Sequence, residues 1–600
     1  MRTQSTALLI GIVPLLFALL AFSVLADIAW FDTGKNLIAS ISVGIIVLLF
    51  GVRDAWDLFY SGDQEPKEPD LYVPQVVLYY FIVPVCVAVG YGIAAILQIE
   101  TPWPGLVLGL ASFAALRVKL FPTLPAPVIG RRLIGRVSAT IRSQQKLIGD
   151  DQGILFGGVP LPSDAATKHF CIVGVSGGGK TITLQLLMQQ ALPAIGKGRD
   201  VRAVIYDAKR DVVSSLAGMG LHTTPLILNP FDARCWAWDM AADITVPTDA
   251  DEIAAILIPE KSESQPFFTN AARQLVGGTL RSLIKTCPAM WTFRDLVLAV
   301  QSKEYLRQIL EREPITKYLV ETFFANEREL ASIITTIETR MGRYGSIAAA
   351  WDSCCSRKIS LNDWINQESI LVLGCIHKNR EAIETVNRLL FHRLHQVLLD
   401  DKSSRAPASR RTWVFLDEVP DAGRLDGLHR VFTHARSYGI CIALGFQDLA
   451  GLTHIYGDNL ASVIINQCSS KAILRLTSPE TARWASGLAN TYEERDPNSP
   501  KDPPTRREAI PPAAFLSLPP TDRTNGLSGY YITPYVNPYF SKLGGDELFD
   551  RMLMQPDESV PDFVPRPPSD LELQPWTEKD LIRLDLNSKP AWQRSDLWDL

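Results

Sequence analysis

The sequence predicts an α/β fold: a parallel sheet with helices on both faces, interrupted by an all-α insertion and preceded by transmembrane helices. Three observations carry this expectation. Short apolar strand-like runs alternate with helix-like runs over residues 158–230 and again over 356–540, a pattern that builds a parallel sheet whose crossovers cover both faces. A glycine-rich turn of spacing G-x-x-x-x-G-K-T separates the first strand from its helix. Long apolar runs near the N-terminus match the thickness of a bilayer.

Six hundred residues exceed a single core, so a membrane part and at least two soluble units are expected. Ala7–Leu25 and Val76–Leu97 each read as a span; Leu37–Val52 and Pro104–Leu116 are shorter and read as marginal spans, re-entrant pieces or buried helices. Residues 1–120 therefore hold two to four helices. The cluster Arg117, Lys119, Arg131, Arg132, Arg136, Arg142 and Lys146 follows the last run and predicts a multi-pass protein whose body stays on the cytoplasmic side. A cleaved signal ending near Val24-Leu25-Ala26 is the competing reading of the first run, although its apolar core is long for that purpose. Residues 121–157, with prolines at 122, 125 and 127, read as a stem.

The net charge of −5 argues against a broad basic face that coats nucleic acid, but not against a narrow channel lined by a few cations. The nine cysteines form no C-x-x-C and read as buried apolar residues in a reducing compartment. His392 and His395 stand one helical turn apart without a carboxylate or thiolate signature, which favours an ordinary helix face over a metal site.

The first soluble strand, Lys168-His-Phe-Cys-Ile-Val, runs into Gly174-Val175-Ser176-Gly177-Gly178-Gly179-Lys180-Thr181 and then the helix-like run Ile182–Ala191. Glycines at these positions let backbone N–H groups curl around phosphate oxygens at a helix N-terminus. All eight residues are candidate nucleotide contacts, with Lys180 reaching the β- and γ-phosphates of ATP and the Thr181 hydroxyl ligating Mg2+. Arg202–Asp207 and Pro225–Pro230 are further strands. Across 231–355 strand character stops, and runs such as Asn270–Ile284 and Glu327–Ala350 carry apolar residues at three- and four-residue steps, predicting an all-helical insertion. Ser369–Ile376 restores a strand, and Arg380–Leu399 is a long amphipathic helix.

Thr412-Trp-Val-Phe-Leu then delivers Asp417 and Glu418 to the C-terminal edge of the sheet, where α/β folds bind ligands. Asp417 would hold Mg2+, and Glu418 would orient and deprotonate an attacking water. Gln447 ends a neighbouring strand, where it can sense the γ-phosphate. Arg436 precedes that strand and reads equally as a finger toward a neighbouring subunit's nucleotide or as a solvated cation favoured by a helix end. Lys471–Leu476 and Ser528–Thr533 read as the last strands. Residues 541–600 are Pro-rich and acidic, and from about Asp546 predict a disordered tail with docking motifs around Trp576, Trp592 and Trp598.

Together the N-terminal spans, the P-loop, Val204–Asp207, Leu228–Asp239, the helical insertion, Asp417-Glu418 and Gly445-Phe-Gln447 resemble the type IV secretion coupling proteins of the TraD kind, over roughly residues 1–540. The resemblance implies a RecA-like P-loop NTPase and homo-hexamer in the bacterial inner membrane, an ATP hydrolase that joins single-stranded DNA and its relaxase, the relaxosome, to the type IV secretion channel in conjugation. It implies Arg436 as the trans-acting finger, Gln447 as the phosphate sensor, and the helical insertion as the substrate-receiving face. A membrane receptor using nucleotide as an assembly switch, and a DNA pump of the FtsK or HerA kind, are the alternatives. The latter would call for a compact DNA-reading C-terminal domain in place of the acidic tail. An ABC transporter would need an LSGGQ-like signature, and none is visible.

Overall fold

The computed structural model describes residues 135–136, 153–260, 266–354, 356–374, 379–400, 410–494, 503–552 and 554–586. The expected membrane runs and most of the stem lie outside these residues. Among the described residues no helix is long and apolar enough to cross a membrane.

The chain divides into two units, residues 1–135 with Asn490–Ala509, and Arg136–Ala489 with Ile510–Leu600. In the first, Thr491–Glu494 and Thr505–Glu508 form an antiparallel hairpin in which Tyr492 faces Arg507 and Glu493 faces Arg506.

The second unit is mixed α/β. Its sheet contains β1 (Phe170–Val173), β2 (Val201–Asp207), β3 (Leu226–Ile227), β4 (Ile370–Gly374), β5 (Arg411–Leu416), β6 (Ile440–Phe446), β7 (Ser470–Ile473), β8 (Leu527–Thr533) and β9 (Val536–Leu543). Their spatial order is β9-β8-β7-β1-β6-β5-β2-β4-β3. From β7 to β3 all neighbours run parallel, and β8 and β9 are added antiparallel. Every residue of β1, β2, β4 and β6 is buried, as a sheet covered on both faces requires. Phe170, Trp413 and Phe415 stack across the core at centroid separations of 6.3 and 5.3 Å. Each such side chain contributes about 1.5–3 kcal/mol through burial.

β9 escaped the sequence reading because Asn537 and Pro538 break its alternation, and its pairing with β8 carries a register irregularity between Tyr531 and Thr533.

Between β3 and β4 lie helices Asp249–Leu257, Pro266–Thr286, Phe293–Gln301, Lys303–Arg312, Pro314–Phe323, Glu327–Met341 and Gly345–Ser353. Pro266–Thr286 is the axis of this insertion. Gly278 lets Leu319 lie against it: a Cβ there would stand 2.3 Å from Leu319 Cδ1. The insertion is not purely helical, because Ala237–Trp238 pairs in parallel with Lys358–Ile359 at its base. Two-residue strands leave no period to read. On Arg380–Leu398, His392 lies 3.1 Å from Glu252 and its ring packs edge-on to His395. All six described cysteines are buried.

The expected disordered tail is corrected over residues 554–586, which run as an ordered strap across the unit. Asp557 N–H donates to Ser214 O at 3.0 Å, and Asp562 Oδ1 accepts from Ser214 N–H at 2.9 Å. Asp232 bridges to Pro565, and the buried Arg566 donates to Asp232 O and Cys354 Sγ. Further on, Trp576 and Arg583 both bond Asp295. Composition suggested too little apolar surface to fold. The strap instead spends its polar residues one by one on buried partners of the body. Trp576 is engaged in this way, while Trp592 and Trp598 lie outside the described residues.

Candidate functional site

The P-loop emerges from β1 between two carbonyls that fix its start. Gly174 N–H donates to Phe446 O at 3.2 Å and Val175 N–H to Arg475 O at 3.0 Å. The turn closes with Gly178 N–H donating to Val175 O at 2.9 Å. Gly177 and Gly179 have φ of +72° and +97°, which a side chain opposes. At Gly179 space also forbids one: a Cβ would lie 2.3 Å from Leu527 Cδ1 and 2.6 Å from Thr521 Oγ1.

Helix Lys180–Ala191 begins here with no capping side chain and no acid in its first turn. Its leading N–H groups and the positive end of its dipole are thus directed at the loop, the arrangement that favours an anion. Val175 is half-buried, and Ser176 and Gly177 are exposed at the lip.

β5 ends beside this cradle. Thr181 Oγ1 donates to Asp417 Oδ2 at 2.9 Å, while Asp417 Oδ1 is buried without a hydrogen-bond partner. Lys180 Nζ is ion-paired with Glu418 Oε2, both side chains being almost fully buried. Burial pushes the Glu418 carboxyl above the ordinary carboxylate range, and the Lys180 ammonium opposes the rise. An unpartnered carboxylate oxygen beside a threonine hydroxyl is the hard-oxygen donor set a Mg2+ ion takes, so the residues present fit that ion.

β6 runs between β1 and β5, so Gln447, exposed just past its end, stands at the same edge as the cradle and the acid pair. Gly445 permits this crowding, since a Cβ there would lie 2.3 Å from Asp417 O and 3.1 Å from Lys180 Cδ.

Arg436 lies elsewhere. It is exposed in the turn Ala435–Tyr438, before β6 starts, at the opposite edge of the sheet. The six steps of β6 separate the two edges by about 20 Å at ~3.3 Å per residue, so a chain does not bring Arg436 to its own P-loop.

Two participants escaped the sequence reading. Lys209 Nζ donates to both Thr181 Oγ1, at 2.7 Å, and Asp417 Oδ2, at 2.8 Å. Its only signal was its place just past a strand end. Thr521 N–H donates to Gly177 O at 2.8 Å, and its hydroxyl is buried without a partner. Nothing local announces a residue that far along the chain. Asp207, at the end of β2, accepts from Asp211 N–H and Val212 N–H; burial first, then Asp211, pushes its carboxyl up to about 6.

Comparison with known proteins bears on this site. The family model for the type IV secretion-system coupling protein DNA-binding domain matches residues 153–495, more than half of the chain. The chain belongs to the type IV secretion coupling proteins. The coupling protein TraD of Escherichia coli (strain K12) is 25% identical over 366 residues, 60% of this chain and 48% of that protein. The chain thus matches about half the length of this curated relative. The bacterial conjugative coupling protein TrwBdeltaN70 in its unbound form superposes with a TM-score of 0.56 at 22% identity, covering 74% of this chain and 98% of that one. The plasmid coupling protein TrwB in complex with ADP and Mg2+ gives a TM-score of 0.56 at 21% identity over the same shares. Coupling proteins of known structure therefore share this fold.

Proposed function

We propose that this coupling protein is a RecA-like ATPase that moves single-stranded DNA, with its bound relaxase, into a type IV secretion channel at the bacterial inner membrane. The observation that carries the reading is the convergence of Lys180, Thr181, Asp417 and Glu418 beneath one glycine cradle. Solved relatives carrying ADP with Mg2+, or a non-hydrolysable ATP analogue, support it, as does a matching family described as DNA-binding. The N-terminal apolar runs supply the membrane anchor.

In this mechanism the uncapped N–H groups at the head of helix Lys180–Ala191, with those of the loop not already given to Phe446 O, Arg475 O and Val175 O, bind the β- and γ-phosphates. Thr181 and Asp417 would hold Mg2+, which when bound would neutralise charge developing on the phosphates. Nucleotide binding turns Lys180 from Glu418 toward the phosphates, whose greater charge competes for the ammonium. Glu418 is left as a free base beside the γ-phosphate to take a proton from the attacking water. Its raised pKa suits it to that transfer. Gln447 orients the same water or phosphate from the neighbouring strand. This placement of Glu418 favours turnover over the switch-only receptor, which needs no base.

Arg436 completes the site of the next subunit in a homo-hexamer. Arg436→Ala alone is expected to lose about 10³- to 10⁵-fold in hydrolysis, and Glu418→Gln alone is also inactive. Mixing the two variants restores activity, because some interfaces then combine an intact Glu418 with an intact neighbouring Arg436. Failure of mixed, co-assembled variants to hydrolyse ATP would remove Arg436 from the trans role.

A further inference from the structure

Lys209 has no part in the mechanism above, yet it sits in its middle. Lys209 Nζ, Thr181 Oγ1 and Asp417 Oδ2 form a closed triangle with sides of 2.7, 2.8 and 2.9 Å. A Mg2+ ion bound at about 2.0–2.1 Å to two adjacent corners of an octahedron holds those oxygens about 2.9 Å apart. The two oxygens here stand at that separation, with an ammonium bonded to both.

We propose that Lys209 is a placeholder cation. It holds Thr181 and Asp417 at metal-ligating separation and competes with the divalent ion for the same two oxygens. This deepens the nucleotide reading and rests on it. Two cations sharing one carboxylate oxygen repel at short range, and at the Thr181 hydroxyl they would occupy adjacent lone pairs of one small oxygen. Displacement is feasible because the Lys209 side chain is 46% exposed on a long stem, whereas Lys180 is buried.

The backbone beneath Lys209 is held on both sides. Asp207 accepts from Asp211 and Val212 N–H groups, and the Arg210 guanidinium lies 5.1 Å from the centroid of the Phe563 ring on the strap. The side chain can therefore move while its anchor stays. The consequence is selectivity in order: metal alone is disfavoured, and metal arriving with phosphates, which add their own oxygens to its ligands, is accepted while Lys209 swings out to solvent.

Mn2+ binding to the full chain without nucleotide, read by electron paramagnetic resonance, tests this. Lys209→Met and Lys209→Gln should bind Mn2+ about tenfold to a thousandfold more tightly than wild type, the range over which one adjacent charge shifts a carboxylate's affinity for a proton. Adding Asp417→Asn should abolish the gain, and Lys209→Arg should stay near wild type. In unaltered protein, labelling of Lys209 by an amine acylating reagent should rise when Mg2+ and ADP are added together. Equal Mn2+ affinity in wild type and the neutral variants, all still binding ADP, overturns the placeholder. Unchanged Lys209 labelling on Mg2+ and ADP binding overturns it too, whether or not the variants fold. Absence of ADP binding by wild type would instead strike the nucleotide reading itself.

Discussion

Glu418→Gln is expected to slow ATP hydrolysis by about 10²- to 10⁴-fold, the usual contribution of a positioned general base, while ATP binding is retained or tightened. The reason lies in the ion pair with Lys180. With a neutral amide in place of the carboxylate, Lys180 has no competing anion and is freer to meet a phosphate. The amide still fills the space and can bond its neighbours.

Lys180→Ala differs in kind. It removes the phosphate ligand and leaves Glu418 buried and unpaired, a loss of about 3–5 kcal/mol when one partner of a buried pair is deleted. The prediction is therefore a split: Glu418→Gln binds fluorescent ATP and stays folded, whereas Lys180→Ala loses both affinity and stability. Undiminished hydrolysis by Glu418→Gln would remove Glu418 as the base.

Asp295→Ala is expected to produce the largest structural effect outside the site. Asp295 is fully buried at the start of helix Phe293–Gln301. Its Oδ1 accepts from Trp576 Nε1 at 2.8 Å and Arg583 Nη2 at 3.0 Å. Its Oδ2 accepts from Arg583 Nη1 at 2.7 Å, and from Thr292 N–H at 2.8 Å and its hydroxyl at 2.9 Å. One side chain thus closes a helix cap and anchors the strap.

Its removal leaves the Arg583 guanidinium only Asp580 as a counter-charge, costing about 1.5–3 kcal/mol in lost charged hydrogen bonds, and breaks a cap worth about 1 kcal/mol. Amide exchange and protease cutting over residues 570–586 should rise sharply, with a clear fall in melting temperature. Trp576→Phe, which deletes one donor, should cost about 1 kcal/mol and leave the strap docked. Unchanged exchange in Asp295→Ala would show that the strap is held elsewhere.

The strap also reaches the nucleotide side. Asp562 bonds Ser214, in the helix that follows Lys209, and Phe563 packs under Arg210. The C-terminal segment therefore ties the turn bearing Lys209 to the helical insertion. Release of the strap by Asp295→Ala should loosen that turn as well.

What was legible in the sequence was what is local. The cradle is a run of eight residues in which Gly177 and Gly179 are dictated by positive φ, and Gly179 also by contact with Leu527 and Thr521. Asp417 and Glu418 end a strand whose apolar run is uninterrupted. Lys209 was missed because its role depends on two partners from other elements, Thr181 on a helix and Asp417 just past a strand, and Thr521 because it enters from the antiparallel end of the sheet. Gly445 was visible but mute: its necessity comes from Asp417 O and Lys180 passing within reach. The strap was misread because average composition hides specific pairing, and Arg566, Trp576 and Arg583 each meet particular acceptors on other elements. β9 was missed for a smaller reason, a proline inside an otherwise alternating strand.

The central claim is that phosphates in the Gly174–Thr181 cradle are hydrolysed through Asp417 and Glu418. The most direct test is phosphate release from ATP by the purified full chain, with Mg2+ and with the metal chelated, alongside Lys180→Ala. The account predicts release that requires Mg2+ and vanishes in the variant. A folded wild-type protein that neither binds ATP nor releases phosphate, or one whose release is unchanged by Lys180→Ala, would contradict it.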